Sequence, residues 1–96
     1  MPAAATPTVF VDNDKMRVTE WRFAPGAATG WHRHEMDYVV VPIMDGQLAL
    51  VDGDGHRTVA DLRVGQPYYR DAGVAHDVVN PNPFEFAFIE VERKAG

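Results

Sequence analysis

His32 and His34 stand two residues apart in Trp31-His-Arg-His-Glu-Met-Asp-Tyr38, just ahead of the β-branched run Val39-Val-Val41. In an extended strand the side chains at i and i+2 share a face. Two imidazoles about 6–7 Å apart along such a strand can converge on one ion. Imidazole suits iron, zinc, nickel and copper alike, so the pair alone selects no metal. A further histidine, His76, opens the run His76-Asp-Val-Val-Asn80 and shares a face with Val78 and Asn80.

The segments that must position these side chains read as strands. Apolar and β-branched runs fall at residues 8–11, 15–24, 31–34, 38–44, 47–51, 56–62, 66–70, 76–79 and 84–92. Between them lie turn signals such as Asp12-Asn-Asp14, Pro25-Gly26, Asp45-Gly46 and Asn80-Pro-Asn-Pro83. No segment sustains a helical period, so the expected class is all-β, and closure into a small barrel removes open edges. Residues 1–7, with two prolines, are expected to be a flexible N-terminal arm or an edge segment, and residues 8–96 a single barrel domain. In residues 15–24, Trp21 and Phe23 do not share parity with Met16 and Val18, which predicts a bulge or burial on both faces. Asp52-Gly-Asp-Gly55 lacks the later ligands of a calcium loop and is expected to be a plain turn.

Composition excludes several classes of function. The chain has 96 residues, enough for one core, and 46% of them are hydrophobic. Nine basic against 14 acidic residues give a net charge of −5 with no basic stripe, which argues against nucleic acid and anionic membranes as partners. With no cysteine there is no disulfide, thiolate site or thiol nucleophile. Neither a signal-peptide pattern nor an apolar run of about 20 residues is present, so a cytoplasmic location is expected.

Two spaced motifs resemble those of the cupins, a family of small jelly-roll barrels. The first, G-x5-H-x-H-x3,4-E-x6-G, is met by Gly26, His32, His34 and Gly46; the second, G-x5-P-x-G-x2-H-x3-N, by Gly65, Gly73, His76 and Asn80. The resemblance implies a divalent metal, such as Fe, Zn, Ni or Mn, held inside the barrel by His32, His34 and His76. There are two departures. Asp71 replaces the proline of the second motif, and Tyr38 or Val39 stands where the first motif has glutamate. Parity turns Met36 and Tyr38 inward with the histidines and turns Glu35 and Asp37 outward. With Tyr38 in the glutamate position, the spacer to Gly46 is one residue longer than the pattern, which predicts a bulge near Pro42. Tyr38 is open to three roles: metal ligand, hydrogen-bond donor to a bound oxygen, or packing; it is the one candidate catalytic residue. Three neutral imidazoles leave the ion's +2 charge uncompensated, which favours an anionic, bidentate ligand such as a keto acid or enolate.

Met36, Tyr38, Val78, Phe86 and Phe88 are candidate pocket walls, with Tyr68, Tyr69 and Phe84 chiefly core. His56 is expected to be exposed. Arg22, Arg33 and Arg70 are expected to be solvated or paired, although an inward Arg70 would clamp a carboxylate. The resemblance extends to short single-domain cupins of amino-acid catabolism, including β-alanine degradation. It implies a dioxygenase-like or isomerase-like enzyme acting on a small carboxylate-bearing metabolite; the alternative is a non-catalytic module that binds or senses a small ligand. A homodimer is expected, with residues 8–11 and 84–91 as interface candidates.

Overall fold

A computed structural model describes residues 3–94, which form strands and loops with no helix. The strands are β1 (Thr6–Asp12), β2 (Met16–Phe23), β3 (His32–Arg33), β4 (Asp37–Pro42), β5 (Gly46–Val51), β6 (Arg57–Leu62), β7 (Tyr68–Arg70), β8 (Ala75–Val79) and β9 (Phe86–Arg93). They build two antiparallel sheets, a large one of order β1-β2-β9-β4-β7 and a small one of order β3-β8-β5-β6. This is a single jelly-roll barrel. Every strand expected from the sequence is present, with ends that differ from the expected ones by no more than two residues.

Side-chain alternation explains why the two sheets close on each other. Along β4 and β8 buried and half-buried residues alternate strictly, so each strand gives one face to the interior. The core gathers Phe23, Val40, Leu48, Leu62, Val78, Phe86 and Phe88 from both sheets. Phe23 and Phe88 stack with ring centroids 5.7 Å apart. Gly46 is required here because a Cβ at that position would lie 2.6 Å from the Phe86 ring. The motif asparagine, Asn80, is fully buried. Its amide nitrogen lies within 3.2 Å of the carbonyls of Phe23, Ala24 and Phe84, tying the end of β8 to two loops.

Several expectations need correction. Residues 3–7 are not a free arm; the first two lie outside the described residues. Ala5 N donates to Ala28 O, Ala28 N donates to Ala3 O, and β1 already begins at Thr6, because these backbone groups find partners on the barrel. The irregular parity near Trp21 reflects no bulge in β2, whose register with β9 is continuous from Met16 to Phe23. The shift is in β1, between Val9 and Val11, while Arg17, Thr19, Trp21 and Phe23 form the inner face of β2. Nor is there a bulge at Pro42, since β4 pairs with β9 without a shift from Asp37 to Pro42.

Among the aromatics, Tyr69 and Phe84 are exposed, Tyr69 because odd positions of β7 face outward. The two interface candidates differ. β9 is paired on both edges, by β2 and β4, so it has no free edge to offer, whereas β1 is the sheet edge and exposes Val9 and Phe10. His56 is exposed as expected, and Asp52 closes a plain turn by accepting from Asp54 N and His56 N. Among the described residues no helix is long and apolar enough to cross a membrane.

Candidate metal centre

The small sheet brings the three histidines together. His32 on β3 lies directly across from His76 on β8 in the antiparallel register. His34 follows β3 in the segment that crosses to the large sheet. Its backbone is pinned at both ends, with His34 N donating to Val74 O and Gly73 N donating to His34 O. Gly73 sits at φ 99°, a conformation that only glycine adopts without strain, and so permits this turn.

His34 Nε2 lies 3.0 Å from His32 Nε2 and 3.2 Å from His76 Nε2, with the rings edge-on to one another. Metal–imidazole bonds of about 2.1 Å at right angles would separate the nitrogens by about 3.0 Å, so the cluster has the spacing of one face of a coordination shell. The tautomers agree with that. His32 Nδ1 is 2.9 Å from Gly30 O, a carbonyl that can only accept, so Nδ1 carries the hydrogen and Nε2 of the neutral ring presents its lone pair to the cluster. Thr29 Oγ1, which donates to the same carbonyl, supports the ring at 3.2 Å. With His32 Nε2 bare, a single hydrogen on His34 Nε2 cannot serve both neighbours well. A cation at the centre satisfies all three nitrogens, so these residues fit a metal.

Burial reinforces this. It holds His34 and His76 down to about 4, helped by the neighbouring histidines and Arg70, so both imidazoles are neutral and free to ligate near neutral pH.

The opposite wall belongs to the large sheet. Tyr38, buried on β4, stacks on the His34 ring with centroids 3.9 Å apart and planes 22° off parallel. Burial, with Glu90 and Glu92 adding to it, pushes its phenol up to about 12, so it remains a hydrogen-bond donor. In the strand register Tyr38 is flanked by Glu92 on β9 and Arg70 on β7. Glu90 is buried, with one carboxylate oxygen 4.0 Å from His34 Nδ1. Burial and then the charge of Glu92 raise it to about 7. Burial raises Glu92 as well. Arg70 is half-buried on the inner face of β7, and among the described residues no carboxylate lies within 4.0 Å of its guanidinium.

Together the walls enclose a cavity of about 350 Å³, at the small end for ligand sites and sized for a metabolite. Met36, Tyr38, Val78 and Phe88 line it as expected; Phe86 does not, being sealed in the core against Gly46. Glu35 is exposed at the rim, and Asp37 is engaged away from the histidines, accepting from Ala72 N. Sequence reasoning missed Glu90 and Glu92. The signal was available: the even parity that turns Phe86 and Phe88 inward continues to residues 90 and 92.

The family model described as Cupin domain matches residues 19–92. The chain is a cupin. This cupin is 57% identical over 90 residues to the beta-alanine degradation protein BauB of Pseudomonas aeruginosa, with 94% of each chain covered. It superposes on the crystal structure of a cupin domain from Bordetella pertussis Tohama I with a TM-score of 0.94 at 50% identity, covering 99% of this chain and 98% of that one. A Klebsiella pneumoniae protein with a double-stranded β-helix domain shares the fold alone, with a TM-score of 0.76 at 23% identity over 94% of this cupin and 76% of that chain.

Proposed function

We propose that this cupin is a metal-dependent enzyme acting on a small carboxylate-bearing metabolite, with His32, His34 and His76 holding a divalent ion. The observation that carries the reading is the convergence of three imidazole nitrogens, with His34 Nε2 3.0 Å from His32 Nε2 and 3.2 Å from His76 Nε2. Bound there, the ion would supply Lewis-acid or redox chemistry, as in dioxygenase-like or isomerase-like reactions. Iron, zinc, nickel and manganese are all compatible with the donor set.

The chain's own residues supply the rest. Arg70, charged and without an acidic partner, faces the cavity from the wall opposite the histidines and suits a substrate carboxylate, such as that of a keto acid. Tyr38 keeps its proton at neutral pH and can donate it as a hydrogen bond to a bound oxygen. Val78 and Phe88 exclude water from the inner end. The name of the relative BauB adds a pathway neighbourhood, amino-acid catabolism, to the same reading. The reading also includes a cytoplasmic homodimer joined through the β1 edge, which light scattering coupled to size exclusion would test.

Elemental analysis of protein purified without chelator identifies the metal. Oxygen uptake and turnover of a keto-acid panel are then compared between metal-loaded protein and His76→Ala. Loss of turnover in the variant is expected. Equal rates would end the enzyme reading, and ligand binding without turnover in either protein would favour the non-catalytic sensing module.

A further inference from the structure

We infer that Glu90, on β9, supplies to this centre the carboxylate that the strand after His34 lacks, and that it acts by holding the His34 imidazole rather than by ligating the ion. The inference rests on the three-histidine reading above and extends it to the opposite wall.

His34 uses Nε2 toward His32 and His76, so its other ring nitrogen, Nδ1, points away from the cluster. The group that meets Nδ1 is Glu90, one oxygen of which lies 4.0 Å away. A rotation of the carboxylate that closes about 1 Å would bring the pair into hydrogen-bond range. No other contact competes for that rotation, because among the described residues the Glu90 carboxylate makes no hydrogen bond, and none of its oxygens is sealed away from the cavity without a partner. A carboxylate can only accept from a neutral imidazole, so the contact fixes the hydrogen on Nδ1 and leaves the lone pair at Nε2. Gly30 O already imposes that tautomer on His32. Glu90 would impose it on His34, and its carboxylate, ionised in the presence of the ion, would offset part of the +2 charge from one imidazole away.

The placement is a relocation across a strand pair. Val40 on β4 is registered with Glu90, and Tyr38, which occupies the motif's glutamate position, is registered with Glu92. The acidic side chain has moved from β4 to its neighbour in the same sheet. A Tyr38 ring stacked on His34 fills the position that was given up. Glu92 lies on the same face of β9, two residues on, and among the described residues none of its oxygens comes within 4.0 Å of a histidine nitrogen.

The test compares wild type, Glu90→Gln, Glu90→Asp and Glu92→Gln. Cobalt affinity is measured by competition with a chromophoric chelator, and the visible cobalt spectrum is recorded. Long-range proton–nitrogen correlation spectra of metal-free protein report the His34 tautomer. Glu90→Gln should bind cobalt roughly 10–100-fold more weakly, the range seen when an outer partner of a ligating histidine is lost. It should shift the cobalt bands and mix the His34 tautomers. Glu90→Asp should recover part of the affinity, and Glu92→Gln should stay within about threefold of wild type. If Glu90→Gln binds cobalt like wild type and His34 keeps its hydrogen on Nδ1, the inference is overturned while the three-histidine centre stands. If wild type binds no divalent ion, the centre itself falls. An affinity lost equally in Glu90→Gln and Glu92→Gln, with an unchanged tautomer, would reduce Glu90 to one part of a general negative field and also overturn the inference.

Discussion

The two walls of the cavity are built on opposite logic. The small-sheet wall presents side chains of one kind, the imidazoles of His32 and His76 locked across a strand pair, with His34 arriving from the crossing segment. The large-sheet wall presents a phenol, two acids and a guanidinium on three adjacent strands, β9, β4 and β7. On the first wall burial works toward function, because a desolvated imidazole is a neutral and available ligand. On the second it works against charge, raising Glu90 to about 7 and Tyr38 to about 12. In the proposed function the histidine wall would therefore set where an ion sits, and the mixed wall how much charge it would meet and which ligand it would accept.

The largest effect expected is on the first wall. His76→Ala should weaken divalent-metal affinity roughly 10²–10³-fold, a single ligand's share of the binding energy of a structural zinc site. Isothermal titration calorimetry with zinc or cobalt checks this. Retention of wild-type affinity would mean that the ion sits elsewhere, on His34 with Glu90 and Glu92, the other cluster of possible ligands.

Next in size is the pH dependence of the metal-free protein, where the two walls oppose each other. His34 and His76 are held near 4 when folded, against 6.5 ordinarily, so their contribution to stability is full above pH 6.5 and is lost as the pH falls toward 4. Glu90, raised from 4.5 to about 7, runs the other way: its contribution is full below pH 4.5 and is lost as the pH rises through 7. Two histidines outweigh one glutamate, so stability should drop by on the order of 3 kcal/mol between pH 7 and pH 4. In Glu90→Gln the opposing contribution is gone and the drop should steepen. Urea denaturation at the two pH values measures both slopes, and a flat wild-type profile would contradict the burial of the histidines.

The third prediction separates metal from ligand. Arg70→Met should cut the affinity of the metal-loaded protein for a keto acid roughly 10–100-fold, the worth of a charge-assisted bond, with zinc affinity unchanged or slightly higher. Calorimetry with pyruvate or 2-oxoglutarate reads the first number. An unchanged keto-acid affinity would remove Arg70 from the binding wall and leave the anion to the ion alone.

The walls also differ in how far they were legible in the sequence. The histidine wall could be read because its residues fall at the intervals of the two cupin motifs: His32 and His34 stand two apart, and His76 follows Gly73 by three residues and precedes Asn80 by four. Tyr38 was placed inward by parity alone, and the buried stack on His34 agrees. Parity made the inward direction of Glu90 legible, but its meeting with His34 was not, for a physical reason. Its approach to His34 depends on β9 lying beside β4, a pairing between residues some 50 positions apart that no local pattern announces. The inward direction of Arg70 depended likewise on the partner of β7. The expected bulge at Pro42 failed because motif spacing counts residues without saying which element absorbs an extra one; the β4–β9 ladder stays regular, and the turn before β5 takes up the length.

The smallest effect expected is at Tyr38, and it decides among the roles the sequence left open. Tyr38→Phe keeps the ring, and so keeps the stack on His34. If the tyrosine serves by packing or by donating a hydrogen bond to ligand, metal affinity should stay within about threefold, less than 1 kcal/mol. A phenol oxygen that ligates the ion would lose far more. Keto-acid affinity then divides the two remaining roles: packing alone leaves it unchanged, and a donor to bound oxygen costs roughly 1 kcal/mol, the net worth of a neutral hydrogen bond. Tyr38→Glu in the Glu90→Gln background takes the comparison one step further. It returns a carboxylate to β4 while removing the one on β9. Recovery of cobalt affinity there would show that the centre needs one acid on the large sheet and tolerates either strand as its source.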